Sequence, residues 1–103
     1  MRYQLVLQWS ATSVSDLDAL VSMEDVLESS LPPSLAFVDG HDVGADEMNI
    51  FVYTDDPLRG YEAAAELLGA HAGWPGVRAA YRLEDEEAYV TVWPEGLEHF
   101  SVT

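Results

Sequence analysis

Apolar and polar residues alternate at the start of the chain. Tyr3, Leu5, Leu7 and Trp9 fall on one side of an extended segment, and Arg2, Gln4, Val6 and Gln8 on the other. A period of two marks a strand with one apolar face. The period then lengthens: Leu17, Leu20, Val21, Met23, Val26, Leu27 and Leu31 recur at helical spacing, with Asp16, Asp18, Glu24, Asp25 and Glu28 opposite. Residues Ser10 to Ser15 are rich in caps, and Ser13 with Asp16, or Ser15 with Asp18, puts an acid in the positive first turn. Ser22 to Asp25 can cap a second, shorter helix, so the pattern also admits a break near Ser22. Pro32-Pro33 ends the helix.

Ser34 to Val38 predicts a short second strand with Leu35 and Phe37 on one side, followed by a polar loop over Asp39 to Glu47. Gly40 and Gly44 permit a tight path there. Met48 to Thr54 is a nearly continuous apolar run, the pattern of a strand buried on both faces. Asp55 and Asp56 cap a second helix opened by Pro57 and running to about His71, with Leu58, Tyr61, Ala64, Ala65 and Leu68 inward. Gly73-Trp74-Pro75-Gly76 is a stop signal. Val77 to Leu83 alternates as a fourth strand, Glu84 to Glu87 makes an acidic turn, and Ala88 to Trp93 returns as a fifth. Pro94 ends it, and residues 95–103 form a tail without a pattern.

The order β-α-β-β-α-β plus one hairpin strand specifies an α+β fold. It is a ferredoxin-like split βαβ sandwich: an antiparallel sheet of four strands, a fifth beside the fourth, and both helices on one face. At 103 residues the chain reads as a single domain, 1–103.

Helices on one face leave the other to be accounted for. That face carries Gln4, Val6 and Gln8 from the first strand, and Asn49, Phe51 and Tyr53 are the better choice from the third. The fifth adds either Tyr89, Thr91 and Trp93 or Ala88, Val90 and Val92. Either set leaves more apolar surface than a lone sheet shows to water. The tail can fold back through Phe100, but nine residues shield only part of five strands. The expectation is therefore an interface with a second copy or a partner protein through Gln4, Val6, Gln8, Phe51, Tyr53, Tyr89 and Trp93, since polar-tipped aromatics favour interfaces.

Charge narrows the partners. Nineteen acids face four arginines and no lysine, a formal net charge of −15. Such a surface repels nucleic-acid phosphates and anionic lipid and attracts a basic protein. The same acidity also serves solubility alone. Ile50-Phe51-Val52-Tyr53 on a third strand resembles the aromatic sheet face of RNA-recognition domains, but RNA binding lacks the basic surround it needs. With no cysteine, disulfides, zinc–thiolate sites and thiol catalysis are excluded. No apolar run approaches the ~20 residues that span a bilayer. No positively charged apolar leader precedes the first strand, so the expected location is the cytoplasm.

The candidate chemistry clusters in the 39–49 loop. Asp39, His41, Asp42, Asp46 and Asn49 are the residues able to hold a ligand or metal, imidazole and carboxylate suiting several divalent ions. A calcium loop is rejected, because Val43 and Ile50 stand where side-chain oxygens are required. The plainer reading is a glycine-shaped connection whose acids cap backbone amides. No nucleophile elbow, P-loop lysine or glycine-rich phosphate loop is present, so no catalytic residue and no cofactor is assigned.

Asp39-Gly40-His41-Asp42-Val43-Gly44, leading into Asn49-Ile50-Phe51 and then Asp55-Asp56-Pro57, resembles a signature of small bacterial proteins with this topology. The acidity and small size also resemble immunity proteins, cytoplasmic antidotes to bacterial toxins. That resemblance implies a toxin-like protein partner and no active site. The alternative is a small enzyme or ligand module using the Asp39–Asn49 loop.

Overall fold

The computed structural model describes residues 1–10, 14–44 and 46–102. The elements are β1 (Tyr3–Ser10), α1 (Val14–Ser30), β2 (Ala36–Gly44), β3 (Glu47–Thr54), α2 (Pro57–Leu68), β4 (Arg78–Leu83) and β5 (Val90–Trp93). They form one antiparallel sheet in the order β2-β3-β1-β4-β5 with two helices, the α+β arrangement that the sequence predicts.

The strand alternation sets the faces. Leu5 and Leu7 of β1 lie opposite Val52 and Ile50 of β3 and Tyr81 and Ala79 of β4. This row packs with Leu20, Met23 and Leu27 of α1 and Ala64 and Leu68 of α2 into one core. Fully burying side chains of this size contributes about 1.5–3 kcal/mol each before entropy is charged against it.

α1 runs unbroken through Ser22, whose hydroxyl lies 3.1 Å from His71 Nε2 instead of capping a new helix. The expected cap at Ser13 lies outside the described residues. The apolar stripe is narrower than its spacing suggests: Leu17 and Val21 are exposed, whereas Glu24 is buried between Leu20 and Leu27. α2 opens as read, with Asp56 Oδ1 accepting from the Arg59 amide at 3.2 Å and Pro57 in the first turn. It ends at Leu68, three residues before His71, and Leu58 points outward at 55% exposure. Gly60 takes the inward place instead: a Cβ there would stand 3.4 Å from Thr54 Oγ1. That threonine accepts from the Asp56 amide and donates to the Leu35 carbonyl, tying the start of β2 to the end of β3.

The largest departure is the 39–47 loop. It is not a loop: β2 continues through it to Gly44, paired with β3 from Ala36↔Thr54 to Gly44↔Glu47. The register shifts once, between Val38 and Gly40, leaving Asp39 in a bulge. Gly40 sits there at φ +153°, a region open to glycine. Gly44 pairs with Glu47, and Asp46 between them adopts φ +63°, a left-handed conformation that aspartate tolerates better than most side chains. Glycines and acids disfavour a strand by propensity, but pairing along the whole of β3 overrides that preference.

Candidate functional site

Alternation within the extended β2 separates the five residues expected to form a ligand site. His41 pairs with Ile50 and turns to the helix side, where its Nδ1 lies 2.9 Å from both carboxylate oxygens of Glu24. Asp42 and Asn49 pair on the opposite face, and Asn49 Nδ2 donates to Asp42 Oδ1 at 2.8 Å. Asp39 occupies the bulge near Tyr53, and Asp46 the turn. Only Asp42 and Asn49 are brought into contact. Among the described residues no three histidine or acidic side chains converge as a metal would need.

Asp42 and Asn49 instead belong to a polar rung crossing four strands. Arg78 on β4 donates through Nε and Nη2 to Gln8 Oε1, at 3.0 and 2.8 Å. Gln8 Nε2 on β1 donates to Asn49 Oδ1 at 2.9 Å, and Asn49 passes the next hydrogen bond to Asp42. The two amides point the same way, so a guanidinium at one end is joined to a carboxylate at the other. Aligned hydrogen bonds of this kind polarise one another. Gln8 Nε2 also lies within hydrogen-bonding reach of Glu47 Oε2 and of the Ser101 carbonyl, the latter at 2.9 Å. A second, shorter rung has Arg82 donating to Gln4 Oε1 at 3.0 Å and to the carbonyls of Glu84 and Glu86. Tyr53 lies opposite Gln4; its phenol pKa is raised by desolvation, and further by the carboxylates of Asp39 and Glu84.

The face away from the helices is thus made as expected from Gln4, Val6, Gln8, Asn49, Phe51 and Tyr53, yet its centre is closed. Gln4, Val6, Gln8 and Asn49 are buried, and Phe51 and Tyr53 are half-buried. The returning tail contributes to this: Phe100 meets Tyr89 at 5.1 Å, and the Ser101 carbonyl caps the longer rung. Trp93 does not lie on this face. A register shift between Ala79 and Ala80 turns it to the helix side, where it stacks on Tyr61 at 6.4 Å.

The depressions that remain are shallow. One of about 460 Å³, beside the longer rung, is lined by Gln8, Glu47, Arg78, His99, Phe100 and Ser101. Another, of about 340 Å³, lies between the end of α1 and β2. His71 is structural, its Nδ1 accepting from the Gly73 amide at 2.9 Å, which leaves Nε2 to donate to Ser22.

Glu24, Arg78 and Ser101 were not singled out by the sequence. Glu24 had a readable signal, because positions 20, 24, 27 and 31 share one helix face and only 24 is charged. Comparison with protein-family models, curated proteins and solved structures finds no match for this chain. No helix among the described residues is long and apolar enough to cross a membrane.

Proposed function

We propose that the chain is a small, non-enzymatic protein-interaction domain whose partner is a basic protein, the mode of action of immunity- and inhibitor-type proteins. The carrying observation is the placement of charge. Residues 3–58 hold eleven of the nineteen acids and none of the four arginines. Asp18, Asp25, Glu28, Asp39, Asp42 and Asp46 in this part are all exposed. Arg78 and Arg82, in contrast, are turned onto glutamine and carbonyl oxygens within the fold. A surface so one-sided in charge accelerates encounter with a positive partner and repels nucleic acid and anionic membranes.

Self-association through the sheet face has weaker support, because the fold buries Gln4, Val6 and Gln8 and sets its own tail against them. A metal or catalytic module has weaker support too, because His41 and Asp42 face opposite ways. A bacterial, cytoplasmic setting is part of the same proposal.

Capture from lysate of the native host, followed by binding kinetics with the purified captured protein, tests this reading. The expected partner is basic. Its association rate falls steeply between low and physiological salt, where screening shortens electrostatic reach to about 8 Å. An acidic partner, or a salt-independent rate, overturns the proposal.

A further inference from the structure

β2 is an edge strand, hydrogen-bonded to β3 on one side and to no other strand of the sheet. Beyond Ala36, whose amide donates to the Pro32 carbonyl, alternate residues of the strand present outward backbone donors and acceptors, the template on which an extended chain pairs. Beside its first half lies the depression of about 340 Å³, with Leu27, Glu28, Leu31, Pro33, Phe37 and Val38 in its lining. On the strand's other side Phe37 is 48% exposed against Tyr53, with ring centroids 5.6 Å apart. Successive side chains of an added strand point to opposite faces, so one would enter the depression and its neighbour would lie on Phe37.

Charge selects the occupant. Glu28, Asp39, Asp42 and Asp46 follow this edge, with no arginine or lysine anywhere between residues 3 and 58. A second copy pairing edge to edge would set carboxylates against carboxylates. A strand carrying lysine or arginine meets no such repulsion.

We propose that β2 receives an extended, basic segment of the partner protein as an additional strand of the sheet. Apolar side chains of that segment seat against Leu31 and Phe37, and its cations lie opposite Glu28, Asp39 and Asp42. This rests on the basic-partner reading and adds where, and in what conformation, the partner binds.

The test uses the full ¹⁵N-labelled chain and a synthetic nine-residue peptide, Lys-Val-Val-Lys-Lys-Val-Val-Lys-Lys, whose adjacent valines put an apolar side chain on each face of the added strand. The control is the same sequence N-methylated at every peptide bond, which keeps charge and side chains but removes the strand's donors. Expected are amide shifts and exchange protection centred on Phe37 to Gly44, with affinity lost about tenfold or more on N-methylation. Glu28→Lys with Asp39→Lys is expected to weaken binding more than Glu95→Lys with Glu98→Lys, an equal charge change in the tail. All four positions are exposed, and retained amide spectra verify the folds. Four results overturn strand addition: no binding of the parent peptide, equal binding of the methylated one, equal losses in the two double variants, or shifts centred away from β2. A captured basic partner with a salt-dependent association rate leaves the parent reading standing in each of those cases.

Discussion

Toward the β4 side of the sheet, Arg78 and Arg82 give their guanidinium hydrogens to Gln8, to Gln4 and to backbone carbonyls. Along β2 and its turn, Asp39, Asp42 and Asp46 are exposed, and the one cation-capable group, His41, also exposed, lies against the buried Glu24. The scarce arginines of the β4 side hold a sheet face together, whereas the acids of the β2 side are exposed, with Asp42 alone of these three tied into the rung through Asn49. Buried polar groups are costly to orphan and exposed ones are not, so substitutions on the two sides should differ sharply in cost.

The sharpest break comes at Gln8. Gln8→Leu removes the acceptor of Arg78 and the donor to Asn49, and should cost about 3 kcal/mol in urea unfolding, since buried partners are left unsatisfied. A loss below about 1 kcal/mol would mean that the rung is dispensable. Next comes the inward contact of the acidic side. His41→Ala strands the Glu24 carboxylate, only 7% exposed, and should cost about 2 kcal/mol, with Glu24→Gln restoring part of it in the double variant.

These two expectations also mark how far the sequence could be read. The alternation of β1 fixed both faces of the sheet, and Pro57 after Asp56 placed the start of α2, because both signals are local. Residues 39–44 have the composition of a loop and form a strand, because an edge strand tolerates glycine and aspartate when its neighbour is long and well formed. The interval between Val38 and Met48 is long for a hairpin turn, and that was the only hint. The ligand cluster dissolved for the same reason: once those residues are a strand, alternation sends His41 and Asp42 apart. The rung was not legible, since it joins residues 70 apart through side chains that look like ordinary surface.

A smaller effect distinguishes the helix side by pH. Burial raises the phenol pKa of Tyr61 above its ordinary 10.0. Its folded state therefore holds the proton more tightly, so its contribution to stability is full below pH ~10 and is lost as pH rises through the folded value. Unfolding followed against pH should show wild type losing stability in that alkaline range, and Tyr61→Phe losing less. Equal curves would remove Tyr61 from the cause. The smallest effect returns to the acidic edge: Glu28→Gln with Asp39→Asn should change stability by less than about 0.5 kcal/mol. Any change at low salt should be stabilising, through relieved self-repulsion.

The sheet order β2-β3-β1-β4-β5 sets Arg78 and Arg82 of β4 three strands away from the exposed Asp39 and Asp42 of β2, so the molecule's positive and negative charges are separated across the sheet. It therefore carries a permanent dipole. A positively charged surface several ångströms away exerts a torque on such a body and rotates it while it still diffuses. The protein would arrive with the β2 side leading, so that part of the orientational search that slows ordinary docking is completed before first touch.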